Sequence, residues 1–274
     1  FHFIISPTYW DIYHKELIMD VVQTVNNDTT SQPKGLVMSR EEIENTEGLL
    51  RYDLARYYAW RCHHDADFKE LFNTTQKWQT ERLKKSHAHL LTDERYQAVT
   101  NFFLTDMYGG LDLSSLASEI ERALPATLRL LPDSVMRTAA TALELNALTG
   151  ELDELTASML FETMKVTEIT DEAMTEAYQR AGNRAMRERQ MVLARELGAG
   201  LDKYVRSRVI YATFKIASKP LHMAGLGVLY DFLDRGFAVM RPMGSAEEFL
   251  DLFIHKEESI MENLYAGRPN PFEF

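Results

Sequence analysis

Histidine and acidic side chains crowd one short stretch of the sequence, Cys62-His63-His64-Asp65-Ala66-Asp67. His63 and Asp67 are four residues apart, so on a helix both would project from one face and could ligate one metal ion. A zinc or iron site needs at least a third ligand, usually from a second helix. The next helical stretch offers two histidines, which gives a metal-site hypothesis of His63, Asp67 and either His87 or His89.

A metal site is not the favoured interpretation of these residues. His64 falls in register with an apolar stripe, so it can be a hydrogen-bonded core histidine while His63 and Asp67 form a solvated pair. None of the eight histidines follows a Glu by three residues, so the ferritin-type di-iron pattern is absent. A looser iron site, as in haem-oxygenase-like bundles, tolerates other spacings and stays open for four candidate ligands on one predicted helix: Asp251, His255, Glu258 and Glu262. The interpretation that we favour for these four residues is an ordinary acidic, exposed helix face.

Arginine recurs on one predicted helix at steps of four and three, as Arg180, Arg184 and Arg187. Guanidinium groups form fork-shaped hydrogen bonds with carboxylates and phosphates, so this stripe predicts an anion site or a face for an acidic partner. The surrounding segment 179–219 has ten Lys or Arg against three Asp or Glu. The segment therefore carries a net charge of +7. Because the whole chain has a net charge of −11, the rest of the chain carries −18. The alternative, which we favour, is that acidic helices of the same chain neutralise this segment.

Methionine and aromatic side chains are plentiful, with 13 Met and 29 Phe, Tyr or Trp. They can line a pocket for an apolar ligand, although such residues are more often core. No P-loop, His-Glu-x-x-His, Gly-x-Gly-x-x-Gly or Gly-x-Ser-x-Gly motif occurs. The single cysteine, Cys62, has no histidine on the same helix face to activate it, so we interpret it as a packed free thiol.

The elements that must position these residues are helices, since apolar residues recur at helical spacing almost everywhere. Ser39 with Glu42, and Ser245 with Glu248, form capping boxes that begin helices, and Thr170 is the predicted N-cap of another helix. Glycine and proline mark the predicted helix ends. We expect helices over 14–25, from Ser39 to about Leu71, 71–91, 133–149 closed by Gly150, 171–197, 201–217, 220–234 and 246–265, with breaks at Pro125 and Pro132.

The fold class is therefore all-α, a single-domain multi-helix bundle of about ten or eleven helices, some broken at Pro or Gly. We expect one domain over 1–274, with 1–13 and 266–274 as extended or loosely attached ends. No run of 18 uncharged apolar residues occurs, so no membrane span is expected. The acidic charge disfavours nucleic acid, and one cysteine fits a reducing, cytoplasmic location.

Three blocks of the sequence resemble an uncharacterised group of bacterial all-helical proteins. The blocks are Phe102-Phe103-Leu104-Thr105-Asp106-Met107-Tyr108-Gly109-Gly110, Leu130-Leu131-Pro132, and Asp231-Phe232-Leu233-Asp234-Arg235-Gly236-Phe237. The resemblance covers about residue 90 to the end of the given sequence. It implies a helical fold and assigns no activity.

The sequence leaves three hypotheses for function, and it does not decide whether the protein is an enzyme. The favoured one is a cytosolic helical binding or interaction protein for a small amphipathic or anionic ligand, with Arg180, Arg184 and Arg187 near the site. The first alternative is a metal-dependent, non-haem iron oxidase with iron or zinc at His63, Asp67 and His87. The second is a structural homo-oligomer. An acidic protein partner remains an option for the arginine stripe.

Overall fold

Helical periodicity decides the architecture, and the protein is all-α as predicted. The computed structural model describes residues 40, 43–108 and 114–272, and every regular element within them is helical. Those residues form twelve α-helices: α1 Thr46–Tyr58, α2 Ala66–Ser86, α3 Ala88–Thr92, α4 Gln97–Phe102, α5 Ser114–Leu130, α6 Asp133–Ala157, α7 Asp171–Ala181, α8 Arg184–Arg206, α9 Arg208–Ile216, α10 Ser218–Met223, α11 Gly227–Met243 and α12 Ala246–Tyr265. Among these helices, none is long and apolar enough to cross a bilayer.

Three shorter elements matter for the site. Arg61–His63 is a turn of 3-10 helix, and the segments Phe103–Tyr108 and Ser158–Thr163 are π-helical. The π segments follow α4 and α6 directly, and each inserts a wider turn that changes the direction of the following side chains. Such turns are frequent at functional sites, which draws attention to the residues beside them.

The long helices pack in a chain of neighbours. Helix α1 contacts α6, α6 contacts α8, and α8 contacts α12. Helix α2 lies against α6, while α11 contacts α4, α5 and α8. Buried apolar side chains fill these contacts in several clusters, of which the largest joins the α3–α4 region to α12. Helices from distant parts of the chain therefore enclose the interior.

Two predicted N-caps are confirmed and a third lies outside the described residues. The Ser245 hydroxyl accepts from the Glu248 backbone N–H at 3.1 Å, and the Thr170 hydroxyl accepts from Ala173 N–H at 3.2 Å. Each satisfies a donor that the first turn of a helix leaves unpaired. The Ser39–Glu42 box and the predicted helix over 14–25 fall outside the described residues. The first described helix, α1, is capped by Asn45.

Several predicted helix boundaries are wrong because the helices continue through glycines that were expected to end them, and at Gly150 and Gly198 the glycine serves close packing. Helix α6 runs through Gly150 to Ala157. Any Cβ at Gly150 would collide with the ring of Trp60, so the glycine lets that ring lie directly on the helix. Helix α8 likewise runs through Gly198, where α12 approaches, and α11 runs through Gly236.

The predicted long helix over 171–197 is broken in two at Gly182. This residue adopts φ +62°, a left-handed conformation that glycine tolerates, and it ends α7. Arg180 therefore lies on α7, whereas Arg184 and Arg187 lie on α8. The three arginines do not share one helix face as the sequence predicted.

Proline has more varied effects than the sequence predicted. Pro132 separates α5 from α6, and Pro220 lies in the first turn of α10, both as expected. Pro125, however, lies inside α5. Its neighbours Leu124 and Ala126 are buried, and their packing keeps the helix continuous despite the lost N–H donor.

The region around α2 differs from the prediction, and the end of the described chain packs against the same helix. The helix expected up to Leu71 is interrupted between α1 and α2, and α2 then runs unbroken from Ala66 to Ser86. Residues 266–272 turn back onto the bundle, and the Phe272 ring packs edge-on against Trp78 at 5.4 Å. The tail thereby covers part of α2.

The close approach at Gly150 predicts a contrast between two mid-helix glycines. Gly150→Ala should lower the free energy of unfolding by about 2 kcal/mol because the new Cβ overpacks Trp60. Gly236→Ala should leave stability unchanged or raise it by up to ~1 kcal/mol, because its Cβ would lie 3.5 Å from Phe102 and alanine favours helix. Urea unfolding of both variants measures this difference, and equal stabilities would contradict it.

Candidate functional site

A cluster of polar side chains occupies the interior where several helices meet, and we call it the polar core. Polar groups seldom lie inside a bundle unless they are hydrogen-bonded, so a cluster of this size calls for an explanation. Its members come from α2, the α2–α3 junction, the first π segment, α6, α7 with the turn after it, α8 and α12: Gln76, Gln79, Arg82, His87, Tyr108, Asp153, Thr156, Tyr178, Asn183, Arg187 and Glu257.

A buried ion pair with a histidine forms one end of the polar core. Arg82 Nη1 contacts the Glu257 carboxylate at 2.5 and 2.7 Å, and His87 Nε2 lies 2.9 Å from Glu257 Oε1. The His87 ring stacks on Phe253 at 3.7 Å and has no exposed surface. Burial alone would raise the pKa of Glu257, but Arg82 and His87 lower it to about 2. Burial lowers the pKa of His87, which favours its neutral form.

A second buried carboxyl group lies across the core from this pair. Asp153 accepts hydrogen bonds from the Tyr108 hydroxyl and from Gln76 Nε2, each at 3.2 Å. Burial raises the pKa of Asp153 to about 6, although Gln76, Arg187 and Tyr108 favour the charged form. This carboxyl group can therefore take up or release a proton near neutral pH, as a general acid or base must.

The third part of the polar core surrounds a buried arginine. Arg187 stacks its guanidinium on the Tyr178 ring at 3.6 Å, and it donates to Thr156 Oγ1 at 3.0 Å and Asn183 Oδ1 at 3.2 Å. Gln79 connects the parts, because its Nε2 donates to the Tyr178 hydroxyl at 2.5 Å while its Oε1 accepts from Arg82 at 3.3 Å. Gln79 thus joins the ion pair to the Arg187 group, and Asp153 lies near enough to feel the charges of Arg187 and Arg82.

Several polar atoms in and beside this network have no hydrogen-bond partner within the described part of the chain. Three of them are donors, Arg82 Nε, Asn183 Nδ2 and the nearby hydroxyl of Ser86, and the fourth is His87 Nδ1, an acceptor when Nε2 donates to Glu257. An unpaired buried polar atom costs about 1–3 kcal/mol, so four in one region is unusual for a purely structural network.

Sequence reasoning missed the polar core, although α2 carries a signal for it. Gln76, Gln79 and Arg82 recur at steps of three and share the face of α2 that buries Phe72 and Leu83. Polar residues in phase with an apolar stripe indicate polar groups pointing inward. Arg187 was already a candidate as part of the arginine stripe, whereas Asp153 could be singled out only once the packing partners of α6 were known.

The predicted arginines are dispersed by the fold. Arg180 is exposed and pairs with Glu176. Arg184 is also exposed and pairs with Glu188 at 2.8 Å and Glu262 at 2.5 Å. Arg187 alone points into the polar core, where it is 7% exposed.

Much of the basic segment is neutralised by acidic helices, as we favoured. Arg189 contacts Glu144 on α6 at 3.0 Å, and Arg195 contacts Glu258 on α12 at 2.6 Å. Helix α8 lies between these two acidic helices, so the complementary charges support its packing. After residue 202, fewer of the basic side chains in this segment form ion pairs.

The predicted metal ligands are not brought together. His63 lies in the 3-10 turn with its ring 4.7 Å from the ring of Tyr57, and Asp67 lies exposed in the first turn of α2. His87 is fully buried at the far end of α2, about 30 Å along the helix from Asp67. Among the described residues, no group of three His, Cys, Asp or Glu side chains is arranged to hold a metal ion.

The aromatic and methionine residues are divided between core and surface. Tyr57, Trp60 and Cys62 belong to one buried cluster, and burial together with Glu154 raises the pKa of the Cys62 thiol to about 12. Met107 lines an apolar cavity of only about 30 Å³. A surface groove of about 420 Å³ lies on the side of α6 away from Asp153 and is lined by Arg61, Phe68, Glu151, Glu154, Leu155, Ser158 and Met186.

The buried ion pair predicts a large loss of stability when one partner is removed. Glu257→Gln should lower the free energy of unfolding by about 3–5 kcal/mol, because Arg82 would remain buried without its counter-charge. Its neighbour Glu258 pairs with Arg195 near the surface, so Glu258→Gln should cost less than about 1 kcal/mol. Chemical unfolding at pH 7 compares the two, and a loss for Glu257→Gln as small as for Glu258→Gln would argue against a buried pair.

The raised pKa of Asp153 predicts a pH-dependent cost in stability. Between pH 4 and 6 the folded chain holds a proton that the unfolded chain releases, so this residue's contribution to stability falls as pH rises. Asp153→Asn should therefore gain about 2–3 kcal/mol over the unmodified protein between pH 4 and pH 8. Urea unfolding across that range measures the difference, and a difference independent of pH would show that the pKa of Asp153 is not raised.

A comparison with known protein families shows which family the chain belongs to. The domain of unknown function DUF8198 matches residues 59–271, a range that contains every member of the polar core. No curated protein and no solved structure matches the chain. The match agrees with the resemblance to an uncharacterised helical group, and the chain belongs to the DUF8198 family.

Proposed function

We propose that this protein binds a small organic anion in its polar core, with Arg187 as the anchoring cation. One observation carries the proposal. Arg187 is a buried guanidinium with no carboxylate within ion-pair distance anywhere in the described part of the chain. A buried cation without a carboxylate in direct contact is costly, so its presence favours a role in holding an anion.

Other interior arginines of this chain are neutralised by direct contact. Arg82 has Glu257, and Arg56 has both Asp53 at 2.9 Å and Glu151 at 2.7 Å. Arg187 has neutral partners instead, and these fix its guanidinium plane against Tyr178. A guanidinium held in one orientation is preorganised for the two parallel hydrogen bonds of a carboxylate.

The surroundings of Arg187 favour a carboxylate with a short hydrocarbon part. Asn183 supplies an unpaired Nδ2 donor beside the guanidinium, since its Oδ1 accepts from Arg187. Apolar side chains surround Tyr178 on its other sides, among them Leu160, Met174 and Ala177. This combination of few polar groups in an apolar wall is typical of small-molecule sites.

The charge of the polar core favours a single negative charge on the ligand. Arg82 and Glu257 cancel, and His87 is neutral. When Asp153 holds its proton, Arg187 is left with one uncompensated positive charge. When Asp153 ionises, its carboxylate competes with the ligand for that charge, because Arg187 acts on it electrostatically. Anion binding should therefore be accompanied by proton uptake at Asp153.

The same proposal includes a cytoplasmic location, which one buried and reduced cysteine supports. The proposed partner is a small molecule. An oxidase built on His63, Asp67 and His87 receives no support from the positions of these residues.

The proposal predicts pH-dependent binding of a simple carboxylate. Calorimetry with butyrate as the probe should detect binding at pH 6, with the affinity falling up to tenfold per pH unit above about 6 as Asp153 ionises. Asp153→Asn should bind butyrate with an affinity that no longer changes between pH 6 and 8. Neutral butyramide has the same shape without the charge, and equal binding of it would refute an anion site.

Two arginine variants test the location of the site. Arg187→Gln should weaken butyrate binding by at least tenfold, because it removes the anchoring charge. Arg180→Gln is the matched control, since Arg180 is exposed and paired with Glu176. Circular dichroism and unfolding measurements confirm that both variants fold. A loss of binding in Arg180→Gln as large as in Arg187→Gln would place the anion outside the polar core.

A further inference from the structure

The end of the basic segment has an unusual combination of charge and exposed apolar surface. Residues 203–219 contain five Lys or Arg and no Asp or Glu. The chain has a net charge of −11 and this segment contributes +5, so the rest carries −16. The same region, through the start of α11, displays several large apolar side chains at the surface: Val209, Ile210, Ile216, Met223 and Val228.

Helix α9 shows how these side chains become exposed. Its inner side is anchored by Phe214, which stacks on Tyr230 at 4.5 Å and packs against Phe237 at 5.0 Å. Ile216, two residues on, points about 200° away from Phe214, and Val209 lies on the same stripe as Ile216 because they are seven residues apart. Val209 is 52% exposed and Ile216 is 54% exposed. Helix α9 therefore has an apolar stripe on its outer side, and none of its residues is fully buried.

The positive charges beside this stripe are only partly neutralised. Lys215 contacts Asp234 at 2.9 Å, and Arg206 contacts Asp202 at 3.3 Å. Lys203, Arg208 and Lys219 form no ion pair within the described ranges. We call Lys203, Arg208, Lys219, Val209, Ile216 and Met223 together the basic apolar surface.

We propose that the basic apolar surface docks on an anionic lipid membrane. Short amphipathic helices with Lys and Arg beside exposed apolar residues lie in the headgroup region, where apolar side chains enter the acyl boundary and cations contact phosphates. Charge complementarity also selects the orientation. An anionic bilayer repels the other faces of this acidic protein and attracts this one.

The number of apolar side chains distinguishes a lipid surface from a protein partner. A stable protein interface buries about 800 Å² on each side and usually centres on packed aromatic or arginine anchors. Here the outer stripe is short, and the aromatic residues of α9 face inward onto α11. A few inserted aliphatic side chains with several free cations suit weak, charge-dependent association with lipid headgroups.

Vesicle co-sedimentation of the full chain tests the proposal. We expect binding to phosphatidylcholine vesicles that contain about a third phosphatidylglycerol, little binding to pure phosphatidylcholine, and release at high salt. Arg208→Gln with Lys219→Gln should weaken binding about 25-fold, taking about fivefold for each charge removed. The double variant Ile216→Ser, Met223→Ser should also weaken vesicle binding, although the net charge of the protein is unchanged.

Matched controls lie on other faces of the bundle. Lys69→Gln removes an exposed lysine that also forms no ion pair among the described residues, and Leu252→Ser removes an exposed leucine on α12. Both should bind vesicles as the unmodified protein does. Equal binding to neutral and anionic vesicles, equal losses in the controls, or no vesicle binding at all would overturn the proposal. Light scattering that shows a dimer disrupted by Ile216→Ser with Met223→Ser would overturn it in favour of self-association.

Discussion

A charge inside a helical bundle must be matched by another, and the polar core depends on one such match, between Arg82 and Glu257. The two residues join α2 to α12 through contacts of 2.5 and 2.7 Å. With this pair in place, His87 has a fixed acceptor and Gln79 has a fixed donor. Gln79 in turn orients Tyr178, against which Arg187 stacks. The positions of His87, Gln79, Tyr178 and Arg187 are therefore linked to this one interaction.

Asp153 and Arg187 show the opposite arrangement, in which opposite charges are near each other without contact. Direct pairing would lower the pKa of Asp153 and remove its ability to exchange a proton near neutral pH. The wider turn of the π segment ending at Tyr108 places a hydroxyl, and not a cation, against this carboxylate.

The fold was predictable to a useful degree, and the site only in part. Helical periodicity and the Ser245 and Thr170 caps are local signals, so the sequence contains them in full. The structural role of Gly150 cannot be predicted from local sequence, because the ring that it accommodates belongs to Trp60, ninety residues away in the sequence. Arg187 shows the same limit. Its side chain matches the anion chemistry expected of it, but the break at Gly182 decides that it faces inward while Arg180 does not.

The sequence separation within the polar core has a consequence for folding. Arg82 and Glu257 are 175 residues apart, and Gln79 and Tyr178 are 99 apart. Loop closure over such distances is entropically demanding, whereas helix formation is local and fast. During synthesis, the helices can form as they emerge, but Arg82 and His87 have no carboxylate partner until α12, which carries Glu257, has been made. This end of the polar core is therefore completed last, by the docking of α12.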